Sequence, residues 1–188
     1  METGISRLRC VASSLAALAL LTVGSSPAFA KSVKGSGHNT SVTTNFSYDG
    51  IAPALLFTGS GNDNIGGPYD LQGVNEFSAT ATPCTTSDSN PGLTFNLVES
   101  DGAGTYNGGQ LYFTAVGATA GTYCLTATGE FTGSITYDVT GGSGKFAHAS
   151  GSFTITFKGQ TLAAPGSPPG SRGIFGAAKF TESGSVTK

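Results

Sequence analysis

Two stretches of the chain alternate strictly between apolar and polar residues. Over 131–139, Phe131, Ile135, Tyr137 and Val139 point one way, and Thr132, Ser134, Thr136 and Asp138 the other. Over 152–157, Phe153, Ile155 and Phe157 oppose Ser152, Thr154 and Thr156. A period of two places successive side chains on opposite faces of a strand, so one face is buried and the other wet. The 3.6-residue period of an amphipathic helix is nearly absent. Thr and aromatic residues suit a pleated, half-buried surface, and Gly and Pro punctuate the chain at short intervals.

This pattern predicts strands over 40–48, 54–60, 67–72, 75–82, 93–99, 109–116, 122–139, 151–158 and 174–186, the long 122–139 run bending at Gly129 or Gly133. Such strands in series predict an all-β fold. It is a single antiparallel, up-and-down, calycin-like barrel of about eight strands, because closure removes the sheet edges. The barrel domain is expected over 40–188, after a flexible Gly-Ser-Gly lead at 31–39. The polar stretch 83–92 is expected to be a loop. Three prolines, Pro165, Pro168 and Pro169, predict a mobile loop over 160–173.

The N-terminus predicts export. Arg7 and Arg9 precede an apolar core at 11–23, too short to anchor in a bilayer, and Pro27-Ala28-Phe29-Ala30 ends in the small-x-small pattern of a signal-peptide cleavage site. Cleavage after Ala30 gives a secreted or periplasmic protein, and no later stretch is apolar enough to span a membrane. Cys10 precedes the apolar core and so is no lipid-attachment site.

Without Arg7, Arg9 and Glu2, the 9 basic and 11 acidic residues become 7 and 10. That balance excludes a basic nucleic-acid footprint. The six remaining lysines and Arg172 are scattered along the sequence, which argues against an anionic membrane surface. Cys84 and Cys124 remain after cleavage, and an even count in an exported chain predicts a disulfide. Two free thiols, or a zinc pair completed by His38 and His148, are the alternatives. Cys84 shares the parity of Ser78, Thr80 and Thr82, and Cys124 that of Thr126, Thr128 and Glu130, so both sulfurs are expected on the wet outer wall.

The joint Gly141-Gly142-Ser143-Gly144-Lys145-Phe146, followed by His148 and Gly151, invites a chemical reading. A phosphate loop is excluded: Val139 stands where its first Gly belongs, Phe146 replaces the magnesium-binding Ser/Thr, and a strand follows instead of a helix. No triad spacing surrounds Lys145 or His148, and a lone loop histidine is ordinarily solvated. The joint reads as architecture. Gly141, Gly142 and Gly144 allow positive φ in a wide turn, Phe146 folds inward as a plug, and Gly151 lets the chain bend back.

The same residues resemble a turn of the allene oxide cyclase/dirigent-like β-barrel superfamily, and more closely its bacterial exported members. The likeness continues weakly upstream in "GNDNIGGPYDLQ" and "GGQLYFTAV" and covers about residues 50–158. His148 stands where a small residue is usual. The resemblance implies an eight-stranded antiparallel barrel. Its plant members are cyclases or stereochemical guides for small apolar substrates. None of their catalytic residues is matched here, so none is carried over.

Candidate site residues are few. Glu99 shares the parity of Phe95 and Leu97 and is the best interior acid. Glu130 lies on a polar face, and Glu76 also falls in a predicted strand. Tyr112 and Tyr137 are candidate ligand contacts, although buried tyrosines are ordinarily core residues with a bonded hydroxyl. The stretch 59–65 nearly fits a calcium-binding repeat, but those sites need tandem copies and only one is present, so it reads as a polar hairpin turn. Asn39-Thr40-Ser41 and Asn45-Phe46-Ser47 fit glycosylation acceptors that a bacterial protein leaves unused. No metal and no cofactor are expected. The expected partner is a small apolar or amphipathic molecule. A cyclase or isomerase and a filled structural barrel are the alternatives, and oligomeric state is open.

Overall fold

The computed structural model describes residues 30–44, 54–162 and 175–188. The expected signal peptide before Ala30, the end of the first predicted strand at 45–48 with its acceptor Asn45, and the proline loop over 163–174 lie outside the described residues. Nine strands are present: β1 (Lys31–Thr43), β2 (Ala54–Asp63), β3 (Gly67–Thr85), β4 (Pro91–Tyr106), β5 (Gly109–Val116), β6 (Gly121–Thr126), β7 (Glu130–Gly142), β8 (Ser150–Leu162) and β9 (Phe175–Thr187). All pairings are antiparallel. β1 pairs with both β2 and β9, and β3 pairs with β4, so the sheet closes in a ring.

Nine strands fill eight places in that ring. β5 pairs with the C-terminal half of β4, and β6 with its N-terminal half. Both then pair with β7 on their other side. They are one strand of the barrel, interrupted at 117–120 by a turn in which Gly117 has φ +82° and donates to Val98 O.

Several boundaries differ from the alternation pattern. The expected lead at 31–39 is the first part of β1, paired with β9 throughout and with β2 from Gly35 onward. The two short strands at 67–72 and 75–82 are one strand, β3, and β4 runs seven residues past the expected end. The long 122–139 run is two strands, reversing at Gly129, where φ is +88°.

The interior is stacked in aromatic layers. Phe77, Phe95, Tyr123, Phe131 and Phe157 form one near the end where β1 stops and β9 begins. Phe113, Tyr137 and Phe153 form the middle, with centroids 4.8–5.5 Å apart. Tyr69, Tyr106 and Phe146 close the other end. Each buried aromatic contributes about 1.5–3 kcal/mol from area alone.

Phe146 plugs the barrel as its setting among small residues predicts. It ends a single 3-10 turn, Gly144–Phe146, and is fully buried against Tyr106. Gly144 sits at φ +58°, where a Cβ would lie 2.2 Å from Gly108 O, so the turn needs glycine on both counts. Gly141 and Gly151 also have positive φ, whereas Gly142 does not.

Cys84 and Cys124 form a disulfide, with 5.8 Å between Cα atoms, joining β3 to β6. Cys124 alternates with the inward Tyr123, so the bridge is on the outer wall as parity predicts. Only half of it is wet: Cys84 is partly exposed, whereas Cys124 is 7 % exposed. The turn after β3 lies over this wall, where Asn90 Nδ2 donates to Glu130 Oε2 and Lys158 pairs with Asp88 across 2.5 Å.

Candidate functional site

The ring is open at one end. A cavity of about 90 Å³ enters between the end of β1, the start of β2, the end of β8 and the start of β9. Phe77, Tyr123, Phe131 and Phe157 make its walls, and Asn39, Ser41, Thr43 and Thr161 bring amide and hydroxyl groups to it. Phe175, half exposed, stands at its mouth.

The sequence builds this cavity by leaving side chains out. Gly176 and Ala178, which precede Phe180 on the inward face of β9, both line it. Small residues facing large ones keep the upper barrel from filling, while the layers below are closed.

Its floor is polar. Ser100 Oγ donates to Asn75 Oδ1 at 2.5 Å and lies 3.1 Å from Tyr137 Oη. Tyr137 and Ser100 are almost wholly buried. Burial pushes the Tyr137 phenol up to about 12, and the contact with Ser100 pulls weakly the other way. At neutral pH Tyr137 therefore stays an uncharged hydroxyl, able to hydrogen-bond a polar group but not to act as a base. Among the described residues no carboxylate, amine or imidazole lines the cavity. The arrangement fits holding and orienting an apolar body with one polar end.

The predicted candidates divide. Tyr137 is at the cavity floor. Tyr112 is 40 % exposed on the outer wall, where its hydroxyl donates to Gln110. Glu99 is also outside. Phe77 pairs with Leu97 and Glu76 with Glu99, which leaves Val98 as an extra residue. That bulge reverses the parity, Ser100 takes the inward place, and Glu99 lies beside the exposed Val116. The joint at 141–151 forms no pocket wall, and His148 is exposed.

Four polar side chains missed by the sequence reading meet at the closed end. Tyr106 Oη donates to Asp63 Oδ2 at 2.5 Å, and Tyr69 Oη donates to Glu182 Oε1 at 2.9 Å. Asp63 Oδ1 accepts from the backbone N–H groups of Ile65 and Gly66, which fixes the 63–66 turn. Burial, and then the Asp63 charge against the pull of Tyr69, holds Glu182 up at about 7. Burial and the two carboxylates also push both tyrosines far up. Alternation carried a signal for Glu182, which shares parity with Ala178 and Phe180. Leu71 and Ile155 line both this pocket and the open cavity and so separate the acid pair from it.

Among the described residues no group of three or more His, Cys, Asp or Glu is placed to hold a metal ion, and no helix is long and apolar enough to cross a membrane. Comparison with protein-family models, curated proteins and solved structures found no match to this chain.

Proposed function

We propose that this is an exported barrel that binds one small apolar or amphipathic molecule in its open end, as a member of the allene oxide cyclase/dirigent-like superfamily. The observation that carries this reading is the cavity itself: aromatic walls, a floor to which Asn75 and Tyr137 bring polar atoms held from behind by Ser100, and no charged group lining it among the described residues. Its volume of about 90 Å³ suits a single ring or a short chain seated with part of the molecule at the mouth. Export is supported by the N-terminal sequence pattern and by the disulfide, which persists in oxidising compartments. Native mass spectrometry of the protein isolated from its own host tests the reading. We expect an adduct of one small molecule that disappears when Ala178→Leu narrows the cavity. Bare protein at full yield, or an adduct that the substitution leaves in place, contradicts it.

A cyclase or isomerase is the second reading, favoured by the buried Tyr137 hydroxyl beside Asn75. It rests on hydrogen bonding to a substrate oxygen, since Glu99 lies on the outer wall.

A further inference from the structure

The lysines are scattered in sequence, but three of them meet in space. Three consecutive carbonyls each accept from one of them: Asn64 O from Lys31 at the start of β1, Ile65 O from Lys188 just past β9, and Gly66 O from Lys145 in the 3-10 turn. The Lys31 distance is 2.5 Å and the Lys145 distance 3.3 Å. Lys145 and Lys188 each bring Nζ to 5.2 Å from the centre of the Phe146 ring, from different parts of the chain. Among the described residues none of the three forms an ion pair with an Asp or Glu side chain. The nearest acid in the hydrogen-bond network, Asp63, is buried below with its oxygens occupied by Tyr106 and two backbone N–H groups.

Three like charges on one three-residue turn repel one another. Lys188 reports this: burial first, and then Lys31 and Lys145, pull its ammonium below the ordinary value. An ammonium carries three N–H donors. Each of these three spends one on a carbonyl, which leaves two per lysine for other acceptors. Lysine is a compact point-charge donor for phosphate oxygens. The cluster lacks what a membrane site needs. Three charges give only about three lysines' worth of attraction, where polybasic lipid sites carry four to eight, and the exposed apolar residues Phe175 and Leu162 are at the opposite end.

We propose that the closed end of the barrel, at Lys31, Lys145 and Lys188, binds a soluble multivalent phosphate anion. The bound oxygens would replace water on the free N–H groups and relieve the crowding of the three ammoniums. The site stands apart from the open cavity, at the other end of the stacked aromatic layers.

Titration of ¹⁵N-labelled protein with sodium tripolyphosphate at low salt tests this. We expect saturable shifts of the backbone amides at 64–66, 145–146 and 187–188. Lys31→Gln/Lys145→Gln/Lys188→Gln should weaken binding at least thirtyfold, and Lys179→Gln on the outer wall should stay within about twofold. Raising the salt fourfold should also weaken binding strongly. Shifts spread over the outer wall would overturn the proposal. So would a folded triple variant that binds within threefold of the parent, or adsorption to phosphatidylglycerol vesicles with no response to the soluble anion. Should the triple variant not fold, the shift map of the parent protein decides.

Discussion

Asp63 and Glu182 face each other across Gly35, the backbone partner of both, in β2 on one side and β9 on the other. A Cβ on Gly35 would stand 2.0 Å from Glu182 Oε1 and 2.8 Å from Asp63 Cβ, so the carboxylates converge over the space a side chain would take. Burial first, and the Asp63 charge with it, make ionisation of Glu182 costly and raise its carboxyl to about 7.

Stability should therefore fall as the pH rises. Glu182 titrates at an ordinary 4.5 when unfolded and at about 7 when folded. Between those values the unfolded chain binds fewer protons than the native one, so the unfolding free energy decreases with pH. The contribution is fully present below pH 4.5 and lost by the time the pH passes 7, on the order of 3 kcal/mol at most. Urea midpoints at pH 5 and pH 8 measure it. Glu182→Gln should flatten the difference, whereas an unchanged pH slope in that variant would contradict the assignment.

Gly35→Ala should cost about 1–3 kcal/mol through overpacking, because a methyl group has no room beneath the two carboxylates. In Glu182→Ala the same change should cost less, since the atom it strikes is gone. A thermal double-mutant cycle reads this coupling, and additive losses would show that the two sites are independent.

Phe146→Ala should cost about 3–5 kcal/mol, the range for removing a buried phenylalanine from a packed core. It should also release Tyr106 and the ammoniums of Lys145 and Lys188 that lie over its ring. Thermal melting checks the loss. A variant as stable as the parent would mean that the 141–151 turn is not held by its plug.

The features legible in the sequence are those that depend on local parity. Phe131, Ile135 and Tyr137 face inward and Phe146 plugs the end because alternation and the contrast of one large residue among small ones are local properties. Glu99 shows where parity misleads: one bulge residue, Val98, moves every later residue of β4 to the opposite face. The 31–39 stretch reads as a lead from its Gly-Ser-Gly, yet it is the strand that closes the ring, a role set by pairing across distant sequence. Asp63 reads as a turn residue, and it is one. Its second oxygen, however, turns inward to Tyr106, which only the closing of the barrel brings near. The convergence of Lys31, Lys145 and Lys188 depends on the same closure, and nothing local announces it.

Reduction of the disulfide should lower the melting temperature without altering the open cavity. The bridge closes a loop of 40 residues, which chain-entropy arguments value at about 4 kcal/mol. For a domain of this size that corresponds to roughly 10 °C. Calorimetry with and without reductant, or with Cys84→Ser/Cys124→Ser, measures it. A change of less than about 2 °C would mean that the packing around Cys124 already holds β3 on β6.

The most direct test of the central claim is a titration of ¹⁵N- and ¹³C-labelled protein with p-cresol, a ring with a single polar end. We predict saturable shifts at Asn75, Tyr123, Phe131, Ile135 and Tyr137, no response at Tyr69 and Tyr106 beyond the separating Leu71 and Ile155, and loss of the response in Ala178→Leu. Shifts confined to the outer wall, or an unchanged response in the narrowed variant, would contradict the reading of the open end as a ligand site.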